Sequence, residues 1–273
     1  MSHGYATVNA LTGLAAGSFT WSSGQTAGRD KLNDGVQDEL ALGSASAQAS
    51  GQTLSVDLGS AVSLVGIALL GHNLSVGSCT VQVLADSVNT FATAVTAKAT
   101  TTIPTTAPND RDAVLQFPAV SRRYWRLVFG HSGTKTVSFG EILFLTTITT
   151  LTRSRAYGHG ESERYVTNQN ESSTGSVRAT LLSGPIRTKR FSFRDMRGTA
   201  ERDELMAMFR ASRGGVTPLL WIDTIESVST AATAAGQECL WSQMSESHGW
   251  TENDFSLYDV DGFELRGMSR EVL

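Results

Sequence analysis

Leu54-Ser55-Val56-Asp57-Leu58-Gly59 is the stretch that decides how the first half of this chain folds. Its apolar residues alternate with polar ones, so an extended strand there presents one face to a core and the other to water. Val65, Ile67 and Leu69 repeat the pattern, as do Val81 and Val83, then Trp125, Leu127 and Phe129. Residues 137–145 close the series. Turn signals separate the runs at Leu58-Gly59-Ser60, at Gly71-His72-Asn73 and over residues 104–112. Several short strands with no helix between them predict an antiparallel sandwich instead of a parallel α/β sheet. Residues 93–112, rich in Thr and Ala with Pro104 and Pro108, are expected to form a long surface connection with room for a short edge strand.

Composition supports strands and loops. Of 273 residues, Ser and Thr number 31 each, charged residues are 18%, and only 4 of the 22 basic residues are Lys. A net charge of −4 excludes a general phosphate-backbone binder, which needs a dense basic surface. No run of 18 apolar residues is present, so no membrane span is expected. Met1-Ser2-His3-Gly4 lacks a basic segment followed by an apolar one, so no secretory signal is expected and folding is assigned to a cytoplasm. Cys79 and Cys239 are read as two unpaired, buried thiols.

After Leu145 the character changes. Residues 146–152 are a β-prone bridge, and beyond them charge is segregated. Residues 151–213 hold 12 basic and 7 acidic side chains, and residues 214–273 hold 2 and 10. Either this segregation is coincidence, or the blocks pair as neighbouring surfaces within one domain, or they are complementary faces that meet between subunits. One helix is signalled at about 199–213, with Thr199 to cap it, Glu201, Asp203 and Glu204 early, and Arg210 and Arg213 late. Leu205, Met208 and Phe209 form its apolar stripe, and Gly214-Gly215 ends it. Phe191 and Phe193 alternate before the helix, and Pro218-Leu219-Leu220-Trp221-Ile222 follows it as a buried strand. Asp261-Gly262, between alternating arms, predicts a hairpin over residues 258–265. The fold class is therefore mainly β: a jelly-roll sandwich over 1–147, then a β-rich domain with one helix over 148–273.

The sequence supplies no catalytic motif: no nucleophile elbow, no phosphate-binding loop and no His-Glu-x-x-His pair. His3, His72, His131, His159 and His248 are scattered beside small or polar residues and are expected to be solvated in turns. His159-Gly160-Glu161 lacks a third metal ligand, and Asp259-Val260-Asp261-Gly262 lacks the acidic twelfth position of a calcium loop, where Arg270 stands. The chain is expected not to be an enzyme.

The order of elements over residues 30–145 is more specific. Leu32-Asn33-Asp34-Gly35, Leu54-Ser55-Val56-Asp57-Leu58-Gly59, Gly71-His72-Asn73, Arg123-Tyr124-Trp125-Arg126-Leu127 and Ser138-Phe139-Gly140-Glu141-Ile142 follow one another. This succession resembles the discoidin, or coagulation-factor type C, family of galactose-binding-like domains. The resemblance implies an eight-stranded jelly roll that binds glycans through loops at one end. It also implies a structural calcium, whose ligands would include Asp34 and Glu141; no other cofactor is required. The aromatic residue that commonly follows the Asp-Gly turn is absent from residues 36–42. Tyr124 and Trp125 are assigned to the core and its rim, and Arg122, Arg123 and Arg126 to a solvated strand end.

The second half, through Phe191-Ser192-Phe193, Glu204 to Phe209, Gly214-Gly215 and Pro218 to Asp223, resembles tail proteins of tailed bacteriophages. With the Gly71-His72-Asn73-Leu74 segment, the whole resembles minor tail or tail-tip proteins of the distal tail kind. That implies a non-enzymatic structural component of a virion tail tip or baseplate, assembled in the host cytoplasm. Residues 148–273 would then form a trimeric or hexameric ring with itself and other tail proteins. The sandwich would project as an adaptor or as a module for a host-surface glycan, with avidity from repeated copies. The alternative is a free-standing glycan-binding lectin or carbohydrate-binding module.

Overall fold

The computed structural model describes residues 3–25, 28–34, 41–42, 51–74, 79–103, 112–133, 135–152, 160–171, 177–213, 216–227, 237–244, 249–253 and 257–267. In chain order the strands are β1 (Gly4–Ala6), β2 (Phe19–Trp21), β3 (Ala41–Leu42), β4 (Gln52–Leu70), β5 (Thr80–Asp86), β6 (Val95–Thr102), β7 (Ala113–Gly130), β8 (Ser138–Phe139), β9 (Glu141–Leu145) and β10 (Thr149–Thr150). Then come β11 (Gly160–Glu171), β12 (Val177–Arg197), the helix α1 (Gly198–Ala211), β13 (Leu219–Ile222), β14 (Gln237–Met244), β15 (Gly249–Asn253) and β16 (Leu257–Gly267). The protein is mainly β with antiparallel pairing, as the alternating sequence implies. Two compact units divide the chain: residues 8–149 with 222–239, and residues 1–7 with 150–221 and 240–273.

The first unit is a sandwich whose two layers share two long strands. The beginning of β4 pairs with β2 on one side and with the end of β7 on the other, and β7 passes to β5 and β5 to β6. The end of β4 pairs with β9 and with the beginning of β7. Among the described residues a five-stranded layer therefore faces a three-stranded one. Gln237 and Glu238 of β14 add to the latter by pairing with Val114 and Ala113.

Leu58-Gly59-Ser60, read as a turn between two strands, is instead a bend within β4. The register with β7 slips between Asp57 and Val62. Gly59 adopts φ +76°, a conformation that side chains disfavour, and its N–H donates to Asp57 Oδ1 at 2.8 Å. The bent strand resumes its pairing with β7 at Val62 beyond the corner, whereas a turn would have sent it back along the same layer. Leu54, Val56, Val83, Trp125, Leu127 and Phe129 from one layer meet Ile67, Leu69, Leu115, Ile142 and Phe144 from the other in a single core.

In the second unit the long strands β11 and β12 pair, β12 pairs with β16, and β16 also pairs with β14 and β15. The helix buries Leu205 and Met208 in a core with Phe191, Phe193, Trp221, Leu240 and Leu265. It ends at Ala211, two residues short of the expected Arg213, which takes a positive φ of 50° while its N–H donates to the Arg210 carbonyl. The expected hairpin at Asp261-Gly262 is absent, and β16 runs through both residues. Phe191 opposes Phe263 but Phe193 opposes Val260, so the Asp-Gly pair accommodates an extra residue in the strand, a β-bulge. The hairpin lies earlier, joining β15 to β16, with Asn253 opposite Leu257. Both cysteines are buried and neither forms a disulfide, as expected. Among the described residues no helix is long and apolar enough to cross a membrane.

Candidate functional site

One end of the sandwich is formed by the bends of β4 and β7 and by the loop joining β5 to β6. The last aligned row before the bends holds Asp57, Tyr124 and Asp86, and the next but one holds Ser55, Arg126 and Leu84. Trp125 and Leu127 point into the core, so Tyr124 and Arg126 alternate outward and are half-buried. Asp86, itself buried, organises the β5–β6 loop. Its carboxylate accepts from the N–H groups of Ser87 at 2.7 Å, Val88 at 3.3 Å and Thr93 at 3.2 Å, and from the Thr93 hydroxyl. Burial pushes the Asp86 carboxyl upward, yet these donors together outweigh it and hold it below the ordinary value.

That loop delivers Phe91 to the outer face. The residue sits at φ 56°, which a bulky side chain adopts at a cost. Its ring lies 3.8 Å from the guanidinium carbon of Arg126, a close cation–π contact. Arg126 Nε donates to Ser55 Oγ at 2.9 Å. Beside it Arg123 forms a two-pronged pair with Asp57, at 2.7 and 2.9 Å, and lies 4.8 Å over the Tyr124 ring. The Arg123 hydrogen bond is the main cause that holds the Asp57 carboxyl below its usual range, against a smaller opposing effect of burial. Of the three arginines expected as a solvated strand end, Arg123 and Arg126 make ordered guanidinium–aromatic contacts, and Arg122 donates to the Ser121 carbonyl at 2.8 Å. Trp125 is core, as expected, with Nε1 donating to the Arg122 carbonyl at 3.1 Å. Sequence reasoning missed Phe91; the signal for it was a lone aromatic in the polar stretch Ser87-Val88-Asn89-Thr90-Phe91.

The opposite end is closed by hydrogen bonds between loops. Gly71 N–H donates to Asp112 Oδ1 at 2.8 Å. Asn73 donates to the Thr136 carbonyl and accepts from Ser138 N–H, and Lys135 reaches the Asn73 carbonyl and Cys79 Sγ. Gln52 Nε2 donates to the Lys135 carbonyl at 2.7 Å and lies 3.2 Å from His131 Nε2. His3, His72 and His131 are buried, not solvated as expected. Each imidazole has an internal role: His72 Nδ1 accepts from Leu74 N–H, His131 Nδ1 lies 3.1 Å from the Gly133 carbonyl, and His3 stacks on Trp221. His159 and His248 lie outside the described residues.

The two acids expected at calcium differ in environment. Asp34 is exposed, with Lys31 Nζ 3.9 Å from its carboxylate, and Glu141 is buried at the start of β9, opposite Leu70. Gly35 and the five residues after it lie outside the described residues. Among the described residues no three His, Cys, Asp or Glu side chains gather as a metal-binding group.

No family model and no curated protein matches the chain. Solved structures do. A CBM32 module of AlyQ, in complex with 4,5-unsaturated mannuronic acid, is 21% identical at a TM-score of 0.38, covering 47% of this chain and 94% of its own. Chitosan-binding module 1 of a chitosanase/glucanase from Paenibacillus sp. IK-5 is 24% identical at 0.34, covering 50% and 97%. The lectin domain of lectinolysin, complexed with Lewis B antigen, is 15% identical at 0.38, covering 52% and 99%. None of these three is a phage tail protein.

Proposed function

We propose that the sandwich is a non-catalytic saccharide-binding module whose binding surface is built on Phe91, Arg126 and Tyr124. The observation that supports this reading is Phe91, held in a left-handed backbone conformation over a guanidinium. Strain of this kind persists where surrounding structure over-determines it, and it concentrates at binding sites. The chemistry suits a sugar. A half-buried aromatic face receives the C–H side of a pyranose ring, and planar guanidinium N–H groups donate to its oxygens. The test is retardation of the full chain in gels containing polysaccharides, with Phe91→Ala beside it. Retardation lost in the variant supports the proposal, and retardation unchanged in the variant moves the site elsewhere.

The tail-tip role and the ring of residues 148–273 rest on sequence resemblance alone, and no structural observation favours them over the module reading. A structural calcium held by Asp34 and Glu141 is likewise proposed on resemblance. Its test is thermal unfolding of the full chain with calcium and with a chelator. A midpoint that falls on chelation in the native chain but not in Glu141→Gln supports it, and an unchanged midpoint overturns it.

A further inference from the structure

We infer that Arg126 is a carboxylate reader, so that the ligand class of this surface is an acidic saccharide, a uronate, and not a neutral one. The inference rests on the saccharide-binding reading above and names what that surface selects. Two arginines three residues apart are treated differently by the fold. Arg123 is neutralised by Asp57 in a two-pronged pair. Arg126 has no carboxylate within 4.0 Å among the described residues, and the contacts it makes are to a hydroxyl and a phenyl ring, neither of which carries charge. The two acids in the row next but one are already committed, Asp57 to Arg123 and to Gly59 N–H, and Asp86 to the loop backbone. Burial lowers the proton affinity of Arg126 with no opposing charge to restore it, whereas Arg123 is shifted upward by Asp57.

Geometry then selects the anion. Nε of Arg126 is engaged by Ser55, so the edge left over is the pair of terminal amino groups. That edge offers two parallel N–H donors, which match the two oxygens of a carboxylate. Phe91 covers one face of the guanidinium and keeps water from it, which strengthens attraction to an incoming anion. A neutral sugar would leave the half-desolvated charge uncompensated, so selectivity for the acid follows from the cost already present in the free protein.

The experiment is affinity electrophoresis of the full chain in gels containing polygalacturonate, alginate or hyaluronan, each beside its carboxyl-reduced form, and in a neutral galactan and a sulfated galactan. Native protein, Arg126→Gln and Arg126→Lys are run together, and far-ultraviolet circular dichroism melts establish that each variant is folded. The expected result is retardation by at least one polyuronate, weakened at least tenfold by carboxyl reduction and at least tenfold by Arg126→Gln. Arg126→Lys, which keeps charge but loses the paired donors, falls between. Equal retardation by acidic and reduced forms, or acid-dependent retardation that survives Arg126→Gln, overturns the inference and leaves the saccharide module standing. Retardation by the sulfated galactan alone reassigns the anion and also overturns it. No retardation by any of the polymers overturns both readings.

Discussion

Phe91 is held by its loop, its N–H donating to the Val88 carbonyl at 3.3 Å between the residues that the Asp86 carboxylate ties. A left-handed conformation costs a bulky residue roughly 1–2 kcal/mol, and an exposed cation–π contact returns about 0.5–1 kcal/mol. Phe91→Gly is therefore expected to leave the urea unfolding midpoint unchanged or slightly raised while removing saccharide retardation. A fall in the midpoint of more than about 1 kcal/mol equivalent would mean that the ring is mainly structural. Lys98 is the residue the sequence concealed most completely. It is fully buried, its ammonium donates to the Gln116 carbonyl at 2.9 Å, and burial pushes its pKa down to about 8 from 10.5, with Glu226 acting the other way. The unfolded chain holds this proton more tightly than the folded protein, so stability should rise as pH climbs from about 8 to about 10.5. Below pH 8 the cost of the buried charge is fully present. Urea midpoints of native protein and Lys98→Met, measured from pH 7 to 10, should separate accordingly, with the native curve gaining on the variant as pH rises.

At the scale of elements, the β5–β6 loop behaves as one unit because a single carboxylate ties its two ends. Asp86→Ala removes the acceptor for Ser87, Val88 and Thr93, so those amides should exchange with solvent faster while amides in the middle of β7 do not change. Since the Asp86 carboxyl is held below its ordinary value of 3.8, its contribution is present above that pH and lost as pH falls through the lower folded value. Of residues 93–112, read as a surface connection with room for an edge strand, 104–111 lie outside the described residues. An edge strand is present as β6, eight residues long, and it pairs on one side with β5. What sequence could not tell is that β4 and β7 are each one bent strand. Period-2 alternation reports which side chains face the core, and it reads the same whether the chain turns back or bends across to the opposite layer. The Asp-Gly bulge in β16 follows the same logic, since a residue pair that favours a tight turn also accommodates an extra residue within a paired strand.

At the scale of the whole molecule, the sandwich includes residues far away in sequence. Gln116 donates to the Thr224 carbonyl at 2.7 Å and accepts from Glu226 N–H at 3.1 Å, and β14 closes the edge of β7 at Val114. Removing that segment would leave the Gln116 amide without these partners and Lys98 without the Glu226 charge. Gln116→Met is expected to destabilise the protein by about 1–3 kcal/mol and to raise amide exchange over residues 222–227. A fragment of residues 8–149 alone should unfold at a lower urea concentration than the intact chain, and adding a peptide of residues 222–239 should restore part of the difference.

By itself the sequence determined the mainly antiparallel β class, the alternation that fills the sandwich core, and the existence and approximate span of the helix. Each of these is a local matter, set by side-chain period, capping chemistry and residue volume within a few residues. Only the tertiary structure decided which arginine keeps its charge unpaired, where Phe91 lies, that three histidines and two lysines, Lys98 and Lys189, are buried, and that residues 222–227 and 237–239 group with the sandwich. Those outcomes depend on groups brought together from positions tens of residues apart, as Arg123 with Asp57 and Lys98 with Gln116 and Glu226. Partner choice between distant groups is an energy of proximity and desolvation, and a chain has neither until it has folded.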